Sequence, residues 1–162
     1  MPSSVLFVCS GNICRSPTAE AVFRARVERE GLGSLIKADS AGTGDYHAGE
    51  PPDRRAIMSA QRRGYDLTPL RARQVEPRDF QRFNWIMAMD RDHLRILTAI
   101  KPASFNGFLG LFMDFAPELG VREVPDPYFG GLDGFERVLD LTERASAGLL
   151  AVLRTEIDRA PA

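Results

Sequence analysis

The chain has 162 residues, 44% hydrophobic and 27% charged, which suits one globular domain over residues 1–162 and excludes a long disordered or low-complexity protein. Its 21 basic and 22 acidic residues leave a net charge of -1, so no global field exists for nucleic acid or an anionic membrane; neither is expected as a partner, and any anion site must be local. Two cysteines with four residues between them make no disulfide framework, and no secretory leader or membrane-length apolar run is visible, so a reducing, cytoplasmic setting is expected.

Taken in chain order, Val5 to Val8 is an uninterrupted apolar run, the pattern of a strand covered on both faces. A helix is predicted next, with Ser16 as cap, Pro17 in the first turn, Ala19, Val22, Phe23 and Val27 at helical spacing, and Gly31 as the stop. The same alternation returns: Leu35 to Asp39 reads as a strand, Pro52 to Arg63 as a helix ending at Gly64, and Trp85 to Met89 as a third strand. Asp90 is placed to cap a helix through Ile100, Phe108 to Phe112 reads as the last strand, and the apolar positions from Phe135 to Leu153 line one side of a long terminal helix. Such alternation predicts an α/β layer architecture. Two loops, Ser40 to Pro52 and Val124 to Gly131, are rich in Gly, Pro and Asp, as functional loops often are. The cluster Arg54, Arg55, Arg62, Arg63, Arg71, Arg73 and Arg78 is read mainly as solvated surface.

The segment VLFVCSGNICRSPTAE joins the first strand to the first helix, and in an open parallel sheet ligands bind beyond the carboxyl ends of strands. Gly11 permits unusual dihedrals and Asn12 tolerates the left-handed region, so the amides from Ser10 to Ser16, those of Ile13 and Cys14 included, can turn inward as an anion nest. The helix N-terminus and the planar guanidinium of Arg15 complete a cradle matched to a phosphoryl group. Cys9 stands in the electropositive setting in which a thiol serves as thiolate nucleophile, in line with the bound phosphorus, and the Ser16 hydroxyl can donate to its sulfur.

CSGNICRSPTAE resembles the signature of the low-molecular-weight protein tyrosine phosphatases, and SAGTGDYHAGEPPDRRA, RARQVEPRDF, MAMD and DPYFGG follow in that family's order. The resemblance covers nearly the whole chain. It implies a four-stranded parallel sheet flanked by helices on both faces, built on an N-terminal strand–phosphate loop–helix unit. It further implies Cys9 as nucleophile, Arg15 as phosphate ligand and Asp126 as general acid, whereas composition alone reads an Asp between two prolines as a turn residue. Asn12 and Ser40 resemble residues that brace the phosphate loop, and Leu70 stands where some relatives carry His, removing one polar partner.

Tyr46, Tyr128 and Phe129 are candidate walls of a deep slot for a phenol ring. The expected activity is hydrolysis of phosphotyrosine in proteins, a tyrosine kinase among the candidate substrates, with inorganic phosphate or another oxyanion occupying the loop. No metal or cofactor is expected. Cys14 either packs or forms a reversible disulfide with Cys9 under oxidants. An arsenate reductase on this fold needs further cysteines, a phosphoarginine phosphatase tends to carry Thr where Ile13 stands, and a metal site from Cys9, Cys14, His47 and His93 lacks paired ligand spacing. A binding module without turnover has no need of both Cys9 and Asp126.

Overall fold

The computed structural model describes residues 3–159; Met1, Pro2 and residues 160–162 of the expected 1–162 domain lie outside the described residues. Four strands, β1 (Ser3–Cys9), β2 (Ile36–Gly42), β3 (Trp85–Ala88) and β4 (Phe108–Leu111), form one all-parallel sheet in the order β2-β1-β3-β4. β1 is therefore central, with Val8 opposite Ala41 on one side and Ala88 on the other. Alternation along β1 divides the core. Val5, Phe7 and Cys9 face one way, into a cluster with Ala19, Phe23, Val138 and Leu149, while Leu6 and Val8 face Phe80, Leu97 and Leu111. Phe7 packs edge-on against Phe23 and Phe112, with ring centroids 5.5 and 5.1 Å away.

Helices cover both faces. The first cluster is closed by α1 (Arg15–Arg29) and the long α5 (Leu132–Arg159), the second by α3 (Asp79–Arg82) and α4 (Arg91–Ile100). α2 (Arg54–Gln61) packs through Ala56 and Ala60 onto Val22, Phe135 and Leu139. Arg63, just past its end, reaches Glu136, Asp140 and Glu143 of α5 at 3.0, 2.9 and 2.7 Å. Among the described residues no helix is long and apolar enough to cross a membrane.

The predicted elements exist, with shifted ends. β2 begins at Ile36 and runs on to Gly42, because Leu35 is exposed whereas Ser40, Ala41 and Gly42 are buried beside β1. α2 spans Arg54–Gln61, with Asp53 accepting from the Arg55 amide as its cap. β3 ends at Ala88, and β4 at Leu111, where Phe112–Phe115 turns into a 3-10 segment. α1 starts at Arg15, so the expectation of Ser16 as its cap is corrected: Cys14 holds the cap position without a side-chain bond, and the Ser16 hydroxyl is committed elsewhere.

Candidate active site

Beyond the end of β1, residues 10–14 make an open loop that feeds α1. Its carbonyls are drawn outward: Cys9 accepts from the Thr43 amide (2.9 Å), Ser10 from Gly44 (3.1 Å), Ile13 from Asp53 (2.8 Å) and Cys14 from the Thr18 hydroxyl (2.7 Å). With the carbonyls held away, and no backbone carbonyl among the described residues accepting from the amides of Gly11 to Cys14, the concave side presents N–H groups at a helix N-terminus. The left-handed turn falls on Asn12, with φ of 60°. Gly11 is outside that region, contrary to the expected use of its freedom; a Cβ there would come 2.8 Å from His47 Cδ2 and 3.1 Å from Tyr46 Cε2, so the position demands close approach instead.

Under the loop lies a chain of buried hydrogen bonds. Asn12 Nδ2 donates to Ser16 Oγ (2.8 Å) and to Ser40 Oγ (3.0 Å), its Oδ1 accepts from the Arg73 amide (3.0 Å), and Ser40 donates to Glu20 Oε1 (2.7 Å). Ser16 Oγ lies 2.9 Å from Cys9 Sγ. Glu20 is 2% exposed and paired with Arg24; burial raises its carboxyl above the usual range, against the pull of Ser40 and Arg24. Leu70 packs on the α2 cluster and the network closes without it, since every Asn12 side-chain bond is made by other residues.

Arg15 is 4% exposed. Its Nη1 donates to Asp90 Oδ2 (2.8 Å) and the Val124 carbonyl (3.0 Å), and its Nη2 lies 3.9 Å from Asp126 Oδ2. Burial would raise the Asp90 carboxyl, but the bond from the His93 amide and the Arg15 guanidinium more than offset this, leaving it below the usual range. Asp126 is half-exposed, its Oδ1 accepting from the Tyr128 amide at 3.0 Å. Asp90 is the cap of α4, as its place in the sequence suggested, and also the ion-pair partner of Arg15.

A cavity of about 350 Å³ opens over the loop. Cys9, Ser10, Gly11, Ile13, Cys14 and Arg15 line its floor, Tyr46 and His47 one side, and Asp126, Tyr128 and Phe129 the other. Asn12, Ser16 and Ser40 lie behind this surface, in the bracing network. Phe129 is 93% exposed and stands edge-on to Tyr128 at the mouth, so it rims the cavity more than it walls it. Arg55, gripped by Asp53, stacks between the Tyr128 and Phe135 rings. Burial, then Asp53 and Cys9, push the Cys14 thiol up to about 12, so it keeps its proton and does not compete as a nucleophile.

Sequence reasoning missed Glu20 as part of this assembly and grouped His47 and His93 with Cys9 and Cys14 only as a rejected metal site. Glu20 closes the quoted signature and His47 sits in the Gly-rich loop, so their segments were marked; the contacts of His93 with Ser10 and Arg15 had no signal in the sequence beyond its standing three residues after a cap.

A family model described as low molecular weight phosphotyrosine protein phosphatase matches residues 4–159. The chain is 48% identical over 154 residues to a putative low molecular weight protein-tyrosine-phosphatase of Synechocystis sp., covering 94% of this chain and 98% of that one. It is 47% identical over 161 residues to a low molecular weight protein-tyrosine-phosphatase of Streptomyces coelicolor, covering 98% of each. Its fold matches the crystal structure of a protein tyrosine phosphatase from Entamoeba histolytica with a TM-score of 0.92 at 39% identity, over 95% of this chain and 98% of that one.

Proposed function

The chain belongs to the low molecular weight phosphotyrosine protein phosphatases, and from that premise we propose how its own residues divide the work. The enzyme hydrolyses phosphotyrosine in proteins through a cysteinyl-phosphate intermediate. In our assignment the phosphoryl group sits against the inward amides and Arg15, whose fork neutralises its equatorial oxygens. Cys9 Sγ attacks phosphorus, the P–O bond to the phenol breaks, and Asp126 gives its proton to the departing oxygen. Water then attacks the phosphocysteine, Asp126 takes the water's proton, and the S–P bond breaks to release inorganic phosphate and restore the Cys9 thiolate. Ser16 donates to the sulfur as it leaves.

The observation that carries this assignment is the convergence of Cys9, Arg15 and Asp126 on one cavity, with Arg15 Nη2 3.9 Å from the Asp126 carboxylate. Tyr46, Tyr128 and Phe129 around the mouth support an aromatic substrate, tyrosine kinases being candidates among the phosphoproteins. Two unpaired thiols support a reducing, cytoplasmic setting. The whole of residues 1–162 acts here as one catalytic domain.

Cys9→Ser is the test. It is expected to lower turnover of an aryl phosphate by at least a thousandfold while phosphate or vanadate still binds within about threefold of wild type, read by kinetics and isothermal titration. Residual turnover above a few per cent would remove Cys9 from the reaction.

A further inference from the structure

His93 is 2% exposed, stands three residues after the Asp90 cap of α4, and has no part in the steps above. Its ring spans from that helix terminus to the phosphate loop. Nδ1 lies 3.2 Å from the Asp90 backbone nitrogen and 3.1 Å from Asp90 Oδ1; Nε2 lies 2.8 Å from Ser10 Oγ and 3.4 Å from Arg15 Nη2. Asp90 grips the other side of the same guanidinium at 2.8 Å.

We propose that His93 is a positioning residue which fixes the Ser10 hydroxyl beside the Arg15 guanidinium, so that the oxyanion cradle is already formed before a ligand arrives; this rests on the phosphatase reading of the site. A neutral imidazole carries one donor and one acceptor. With its proton on Nε2 it donates to Ser10 and accepts from the Asp90 amide. With its proton on Nδ1 it donates to Asp90 Oδ1 and accepts from the Ser10 hydroxyl and from Arg15, which can only donate. Ser10 is held in either tautomer. Burial, then the Arg15 charge, outweigh Asp90, Asp92 and Asp126 and bring the imidazole down to about 4, so it remains neutral beside the guanidinium at working pH. Of the two residues in the α4 capping box, Asp90 thus holds Arg15 and His93 holds Ser10, and a loop without the Ser10 contact is competent for only part of the time. Its apparent affinity then falls by the competent fraction, while the bound state, once formed, is unchanged.

The pair His93→Asn and His93→Gln separates the two ends of the ring. Asn keeps an acceptor for the Asp90 amide but is too short for Ser10; Gln places a polar atom where Nε2 stands. Steady-state kinetics on an aryl phosphate, with inorganic phosphate as inhibitor, read the outcome. His93→Asn and Ser10→Ala are each expected to raise KM and the phosphate inhibition constant on the order of three- to tenfold, the equivalent of one hydrogen bond, with kcat within about twofold. His93→Gln should recover the inhibition constant to within about twofold of wild type, and adding His93→Asn to Ser10→Ala should cost nothing further. Equal losses in the Asn and Gln variants, or independent effects in the double variant, would overturn the proposal. Should His93→Asn not fold, Ser10→Ala decides alone: an unchanged inhibition constant overturns it. Failure of the phosphatase reading shows separately, as wild-type enzyme that neither turns over the ester nor responds to phosphate.

Discussion

Ser16 has one proton and two acceptors for it, Cys9 Sγ and the Ala41 carbonyl. Because Asn12 Nδ2 donates to its oxygen at 2.8 Å, the hydroxyl hydrogen is free for Cys9 Sγ at 2.9 Å, which is closer than the Ala41 carbonyl at 3.4 Å. The sulfur therefore faces a donor whose orientation is set from behind, by Asn12, which is buried and does not line the cavity. Asp126 is the opposite kind of group, half-exposed, its Oδ1 accepting from the Tyr128 amide and its Oδ2 3.9 Å from Arg15 Nη2. Asp126→Ala is expected to slow phenols of high pKa by on the order of 10²-fold or more and activated ones by less than about tenfold, measured across a series of aryl phosphates. Equal slowing throughout would remove its role as acid. Cys9, Arg15 and the loop were legible in the sequence because the motif is contiguous and its residue types are few. His93 was not, because it reaches Arg15 across 78 positions and nothing in the order of residues announces that meeting.

At the scale of elements, the periodic stretches were legible and their edges were not. Asp90 as the cap of α4 was readable because the capping box is local, whereas the start of α1 was misread because Ser16, a good cap by type, is diverted to the sulfur. α3 escaped notice: four residues carry no periodicity, and it stands because the fully buried Asp79 gathers Arg73, Arg82 and the Glu76 amide. α5 shows the limit of propensity. Gly148 lies inside it, where Ala would ordinarily stabilise a helix by about 1 kcal/mol, yet a Cβ there would collide with the Phe115 carbonyl of the 3-10 segment. Gly148→Ala is expected to lower stability by about 1–3 kcal/mol, seen as a reduced Tm by calorimetry. A raised Tm would show that the segment yields at no cost.

For the molecule as a whole, the buried titratable groups give stability a definite dependence on pH. The His93 imidazole sits near 4 when folded against an ordinary 6.5, so between those values the unfolded chain takes up a proton that the folded one refuses. Stability from this residue is complete above about pH 6.5 and declines as pH falls toward 4. Glu20 acts in the other sense, since its raised carboxyl keeps a proton in the fold that the unfolded chain releases, a contribution that fades as pH rises above 4.5. Comparing urea unfolding at pH 7 and pH 5 isolates the histidine: wild type is expected to lose about 2 kcal/mol more than His93→Gln. Parallel losses would mean that the imidazole is charged in the fold.

The bracing of the phosphate loop comes from remote stretches: Ser40 lies 28 positions from Asn12, Arg73 lies 61, and Asp90 and Val124 stand 75 and 109 from Arg15. Contacts so far apart form only once the intervening chain has found its place. A chain cut before Val124 would keep Cys9 and its Asn12–Ser16–Ser40 bracing but lose a carbonyl that holds Arg15 and the Asp126 wall of the cavity, so the two sides of the site are brought together only by the complete tertiary structure.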